Sequence, residues 1–329
     1  MADETALERA EELADRLLPE RTPKRRMLVI VNPYATTVSA RLKSLVVYAL
    51  QSRYAVEAID THERNHATQL CREAGQEGYD VVVAFGGDGT VNEAANGLAG
   101  SKTPLTCLPG GATNVWCRMI GIPRDVVDAT EHLLRMADDF RPFPVDLGRA
   151  NERHFVFASG AGLDASVVKR VDEHPYRKAR FGAWYYTSAA VATFNSQYLV
   201  RPPRVRVSAG GRELDGVTVV VQNSDPFTYF RGRPIRIAEG AGLETGTLSL
   251  AVLKNARLAQ LATLIPRIFS ARARTVLRHR QIEGFSGLSS ARVTCLDDRP
   301  FPLHVDGDYI GEYDEVEYGI EPGGLQAVV

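Results

Sequence analysis

The stretch FGGDGTVNE, Phe85 to Glu93, follows the apolar run Val81-Val82-Val83-Ala84. Three glycines stand around one carboxylate where a strand would give way to a helix. Glycine loses the most backbone entropy on folding, so such clustering marks a chain that must bend sharply or approach something closely.

The same unit repeats on both sides of this stretch. Met27 to Val31 reads as a short strand ending in Asn32-Pro33, with helical spacing over 38–52 after it. Ala55 to Asp60 and Asp80 to Phe85 read as strands, with helices over 65–77 and from Val91. Leu105 to Leu108 is a fourth strand, running into PGGATN, Pro109 to Asn114, and Asp125 is placed to cap a helix over Val126 to Met136. Short apolar strands alternating with helices predict a parallel sheet covered on both faces.

The pattern changes near Phe143. Alternating segments follow at His154–Ala158, Arg204–Ser208, Gly216–Gln222, Thr247–Leu253, Ala291–Leu296 and Pro302–Val305. Helical stretches interrupt them over 181–199 and 256–279. This half is expected to be β-rich and antiparallel. The division expected is a leader helix (3–18) and linker within 1–24, an α/β domain over 25–143, and a β-rich domain over 144–329.

Composition narrows the function classes. The chain has 329 residues and a formal charge of −1, so no global basic field draws in nucleic acid. The acidic N-terminus, MADETALERAEE, lacks the apolar core of a secretory signal. No apolar run reaches the roughly 18 residues that span a bilayer. Cys71, Cys107, Cys117 and Cys295 form no CxxC pair, which predicts reduced thiols in a cytosolic protein.

Ligands of open α/β sheets sit beyond the carboxyl ends of the strands. Three such ends carry polar or glycine-rich turns here: Asn32-Pro33, Gly86 to Thr90, and Gly110 to Asn114. Successive backbone N–H groups at such turns form an anion nest, and phosphate fits it. Asp88 would repel phosphate unless a Mg²⁺ ion bridges the two. The sequence has no GxxxxGK[ST], no HRD or DFG and no GxSxG, and the loop lacks GxGxxG. A P-loop, a protein kinase and an α/β-hydrolase are thereby set aside.

GGDGTVNEAANGL, Gly86 to Leu98, resembles the signature of the diacylglycerol-kinase catalytic domain. That family includes soluble bacterial diacylglycerol kinases, sphingosine kinases and ceramide kinases. The resemblance extends to VNP (Val31–Pro33), Thr61, PGGATN, FVFASGAGLDA (Phe155–Ala165) and VDGD (Val305–Asp308), in family order. It implies a Rossmann-like α/β nucleotide-binding domain, then a β-sandwich-like domain, with the active site in the cleft between them. It implies ATP- and Mg²⁺-dependent phosphorylation of a lipid hydroxyl.

Carried onto this sequence, the resemblance gives ATP binding to Asn32, Pro33, Thr61, Gly86, Gly87, Asp88, Gly89, Thr90, Asn92, Gly111, Thr113 and Asn114. Asp88 and Asp308 would hold Mg²⁺, and Asp306 would act as the base with Asp308 in support. Asp306-Gly307 also suits a type I′ hairpin turn. Three positions depart from the family. Val115 replaces an aspartate, Asp308 replaces a glutamate, and Thr245 in GLETGTL stands where bacterial members place a structural-metal aspartate.

A lipid acceptor needs an apolar cleft. FGAWYYTSAAVATFNSQYL, Phe181 to Leu199 and including Trp184, is apolar almost all round, which suits a buried helix or a cleft wall. SDPFTYFRGR offers Phe227, Tyr229, Phe230, Arg231 and Arg233 for lipid or membrane contact. Residues 256–280 combine an apolar face with six arginines, and Pro266 is expected to kink or split that helix. His62 and His66 share metal-pair spacing but read as surface residues. Diacylglycerol is the first acceptor expected, and a sphingoid base or ceramide the second. An NAD kinase-like enzyme and a nucleotide- and lipid-responsive binding protein without turnover are the rivals. The expected setting is cytoplasmic, with transient contact to the inner face of the membrane and a possible homodimer.

Overall fold

The computed structural model describes residues 23–172, 203–230, 232–256, 258–270 and 272–329. The leader helix expected over 3–18, the segment Phe181–Leu199 with Trp184, and Arg231 lie outside the described residues.

Strands β1 (Arg26–Val31), β2 (Ala55–Asp60), β3 (Val81–Gly86) and β4 (Leu105–Pro109) are parallel and lie in the order β2-β1-β3-β4. β3 is buried at every position, which is why its sequence is a continuous apolar run instead of an alternating one. Helices α1 (Ala40–Leu50), α2 (His66–Glu77), α3 (Asp88–Leu98), α4 (Val115–Met119) and α5 (Val126–Met136) connect the strands and cover them. The Asp125 carboxylate caps α5 as expected, accepting from the N–H groups of Val127 and Asp128. α3 starts three residues earlier than its apolar spacing indicates. Asp88, Gly89 and Thr90 therefore form its first turn, where N–H groups have no partner within the helix.

The second half is a two-sheet sandwich. One sheet, β14 (Ile282–Leu288), β13 (Leu248–Leu253), β10 (Thr218–Gln222), β7 (Ala158–Gly162), β16 (Phe301–Val305) and β17 (Asp308–Tyr313), is antiparallel throughout. The facing sheet contains β15 (Ser290–Cys295), β8 (Val205–Ala209) and β9 (Arg212–Gly216). Val207, Val221, Leu250, Val293, Leu303 and Val316 fill the space between the sheets.

That facing sheet does not stop at the domain boundary. β18 (Glu315–Ala327) pairs with β15, with β5 (Phe143–Ala150) and, at Ala327 opposite Leu105, with β4. The parallel sheet and the sandwich thus share one ten-stranded sheet. Leu325, Ala327 and Val328 at the chain's end are fully buried in the core of the first half.

Two expected elements differ. The strand expected over His154–Ala158 is two strands, β6 (Arg153–Phe155), which pairs with β5, and β7. The helix expected over 256–279 is α7 (Leu258–Ile268) and α8 (Ala273–Leu277). The break follows Ile268 and does not fall at Pro266, which lies inside α7. Proline there removes one hydrogen bond, yet the turn continues through Phe269 N–H to the Ile265 carbonyl. Helix α6 (Leu163–Asp172) follows β7, and a small hairpin, β11 (Thr228–Phe230) and β12 (Arg233–Ile235), stands apart from both sheets. All four cysteines are free thiols.

Candidate active site

The glycine clusters first meet each other. A Cβ on Gly110 would lie 2.8 Å from the Gly86 Cα, and one on Gly111 would lie 2.8 Å from the Gly87 Cα. The β3–α3 and β4–α4 turns therefore touch backbone to backbone. Asn114, at φ 49°, ties its own turn: its Oδ1 accepts from Gly111 N–H (2.8 Å) and its Nδ2 donates to the Gly111 carbonyl (2.7 Å). Asn32 Nδ2 donates to Thr90 Oγ1 (3.2 Å) and links the β1 turn to the same place. The Glu93 carboxylate accepts from the N–H groups of Asn65 and Ala67, capping α2. Gly110→Ala is expected to force the two turns apart, at a cost of about 1–3 kcal/mol. Urea unfolding checks this as a lower midpoint with unchanged slope.

These turns form one wall of a cleft of about 1000 Å³. Asn32, Thr61, Gly87 to Thr90, Gly111 and Thr113 line it. Phe227, Tyr229, Phe230, Ile268 and Phe269 line its apolar end. The β16–β17 hairpin adds Asp306, Gly307 and Asp308 to the lining of the same cleft. Asp306 (φ 48°) and Gly307 (φ 83°) both take left-handed conformations, the signature of a type I′ turn. The turn reading and the site reading of VDGD thus hold together.

Several of the expected site residues are placed in structural surroundings. Asn92 is fully buried and cannot reach a nucleotide. Its Nδ2 donates to the His154 carbonyl (3.0 Å) and Asp306 Oδ2 (2.7 Å), and its Oδ1 accepts from Arg153 Nη2 (2.7 Å). Asp306 is 3% exposed, and both its oxygens are occupied. They accept from the N–H groups of Val156 (2.6 Å), Phe157 (2.9 Å) and Ala158 (3.0 Å) as well as from Asn92. Burial pushes its carboxyl upward against the pull of those four donors. A carboxylate engaged in this way ties the hairpin to β7 and α3. Gly86 and Asn114 serve the turns, and Pro33 and Arg233 lie outside the cleft wall.

The carboxylates of Asp88 and Asp308 both lie near the start of α3. A Cβ on Gly89 would lie 2.6 Å from Asp308 Oδ2. Asp88 Oδ1 accepts from Trp116 N–H (3.2 Å) at the start of α4. Burial pushes the Asp88 carboxyl up to about 7, and the nearby Asp306 and Asp308 charges add to the rise. A divalent cation would relieve that repulsion. Among the described residues no cluster of three His, Cys, Asp or Glu side chains forms a closed metal site. Two carboxylates beside a phosphate cradle suit Mg²⁺, which takes its remaining ligands from substrate and water. The structural metal of bacterial members finds no such fit. Thr245 is exposed and its hydroxyl donates to the Gly242 carbonyl (3.0 Å). The Asp146 carboxylate closes this loop instead, accepting from the N–H groups of Gly246 (2.6 Å) and Gly323 (2.9 Å).

Sequence reasoning missed the arginines of the cleft, because none belongs to a motif. Arg64, Arg118 and Arg124 all line it. The Arg118 guanidinium lies 3.3 Å from the Tyr229 ring centroid, and its Nη2 donates to the Gly232 carbonyl (3.0 Å). Arg64 Nη2 donates to the Tyr309 carbonyl (2.6 Å). His62 and His66 stack on each other at 5.3 Å.

Comparison with known proteins agrees with this arrangement. Residues 26–145 match the diacylglycerol kinase catalytic domain. Residues 158–329 match the YegS C-terminal NAD kinase beta sandwich-like domain. The chain belongs to the diacylglycerol kinase catalytic-domain family. A diacylglycerol kinase of Bacillus subtilis (strain 168) is 27% identical over 266 residues, 79% of this chain and 82% of the relative. One from Staphylococcus aureus (strain bovine RF122 / ET3-1) is 24% identical over 296 residues, 88% of each chain. In fold, the chain is similar to the crystal structure of a diacylglycerol kinase from Bacillus anthracis str. Sterne, with a TM-score of 0.71 at 23% identity, covering 94% of this chain and 98% of that one. Membership makes the protein a lipid kinase, a phosphotransferase. No described helix is long and apolar enough to cross a membrane.

Proposed function

We propose that the protein transfers the γ-phosphoryl group of ATP to the hydroxyl of a membrane lipid, with diacylglycerol as the first acceptor and phosphatidic acid as its product. The observation that carries this reading is a single cleft with two chemically different ends. Glycine turns, helix N-termini and the carboxylates of Asp88 and Asp308 lie at one end. Phe227, Tyr229, Phe230 and Phe269 lie at the other.

The backbone N–H groups of Gly87 to Thr90 and of Gly111 to Thr113 hold the phosphates, and Thr61 and Asn32 flank the nucleotide. Arg118 and Arg124 offset charge that builds on the transferred group. Asp88 and Asp308 would hold Mg²⁺, which supplies charge neutralisation at the β- and γ-phosphate oxygens. The acceptor oxygen attacks the γ-phosphorus in line, the bond to the β-phosphate oxygen breaks, and ADP leaves. Asp308 takes the hydroxyl proton. We assign it this role because it is half-buried in the cleft lining beside Gly89. Asp306 orients Asp308 through the tight turn between them.

The test is ADP release by the purified protein with Mg²⁺-ATP and diacylglycerol, sphingosine, ceramide or monoacylglycerol in mixed micelles, with NAD as a control. Diacylglycerol is expected to stimulate release most, and chelation of the metal to abolish it. Stimulation by NAD alone would overturn the lipid acceptor. Tight ATP binding with no acceptor-dependent release would favour a nucleotide-responsive binding protein.

A further inference from the structure

Helix α7 has two apolar faces. Its inner side buries Leu264 and half-buries Ile268 against the core beneath the second sheet. Its outer side exposes Ala262, Ile265, Pro266 and, just past its end, Phe269. These positions fall at helical spacing on one stripe. Ile265 is 51% exposed and Phe269 46% exposed. A helix on the surface of a soluble domain normally turns a polar face outward, so this stripe needs a covering.

Two further observations identify what covers it. Phe269 packs edge to face on Phe230 of the β11–β12 hairpin, ring centroids 5.1 Å apart, and both rings also line the cleft. The outer stripe is therefore continuous with the apolar end of the cleft. Exposed cations flank it as well. Arg233 stands opposite Phe230 in the hairpin register, and Arg272 precedes α8. Two carboxylates of this half are engaged with other cations: Glu239 pairs with Arg274, and Glu283 with Arg212 and Lys254.

The geometry points to this surface, the outer stripe of α7 with Phe230, Arg233 and Arg272, as the face that docks on an anionic lipid bilayer. The inference rests on the lipid-acceptor reading and adds the direction of approach: the mouth of the acceptor cleft opens onto the membrane. The apolar side chains enter the headgroup boundary and the arginines meet anionic lipid. An acceptor can then slide from the bilayer along Phe269 and Phe230 toward the carboxylates without crossing water.

Vesicle flotation tests the surface without requiring turnover. Vesicles of phosphatidylcholine alone are compared with vesicles containing phosphatidylglycerol, using the full chain and the double variant Ile265→Asp, Arg272→Glu. Neither position lines the cleft. The full chain is expected to float with the anionic vesicles, and the variant to bind them roughly tenfold or more weakly. Phosphorylation of a water-soluble short-chain acceptor should be equal in the two proteins, while vesicle-borne acceptor should be used roughly tenfold less well by the variant. Equal flotation of both proteins, with unchanged circular dichroism and melting, would overturn this surface. A wild-type dimer that the variant dissociates would make a second copy of the chain its occupant and also overturn it. Flotation that follows the expected pattern without phosphorylation of any lipid would leave the docking face standing and remove the kinase reading.

Discussion

Replacing Asp308 by Asn is expected to lower kcat by roughly 10²–10⁴-fold, the usual contribution of a positioned general base. The melting temperature should stay close to wild type, while Mg²⁺-dependent ATP binding should weaken by a smaller factor than kcat falls. The residue stands at the cleft wall with its carboxylate beside Gly89, so its loss removes a proton acceptor and a candidate metal ligand without opening the core. Steady-state kinetics with saturating lipid, together with nucleotide titration and a thermal melt, separates these effects. A variant that keeps wild-type kcat would show that the proton leaves by another route.

Asp306→Ala should behave in the opposite way. Three backbone N–H groups and the Asn92 amide lose their acceptor at once, in a position sealed from water. Each unsatisfied buried donor carries a penalty, so the expected loss is on the order of 3–5 kcal/mol. The melting temperature should fall by roughly 5–15 °C. Asp306→Asn should be destabilised too, because one of its oxygens becomes an NH₂ group facing donors. If Asp306→Asn instead melted like wild type and lost only turnover, the base would be Asp306 and the assignment to Asp308 would fail.

The two predictions differ because VDGD could be read in sequence as a motif but not divided into roles. Both aspartates are carboxylates two residues apart, and the resemblance placed the base on the first. Only the tertiary structure shows that the turn folds Asp306 inward onto the β6–β7 segment and leaves Asp308 at the cleft. The same limit applies to Asn92. Its place in GGDGTVNE suggested the nucleotide, yet helix α3 turns it toward β6, where it bonds to His154, Arg153 and Asp306.

The local signals were strong enough to establish the alternation of strands and helices, the order of the three loops, and the family. Each depends on neighbours in the chain: apolar runs, caps such as Asp125, and glycine where the backbone must come close. The arginines of the cleft, the apolar outer face of α7 and the path of β18 between the two halves depend on residues distant in sequence. Arg118 and Tyr229 are far apart in the chain, yet the guanidinium lies over the ring. No periodicity or motif encodes such a contact, because it arises only when separate elements pack. The sequence by itself therefore determined the fold class and the family. The tertiary structure decided which glycines touch glycines and which carboxylate of VDGD is tied by four donors to β6, β7 and α3, because burial and hydrogen bonding belong to the packed molecule and not to the chain.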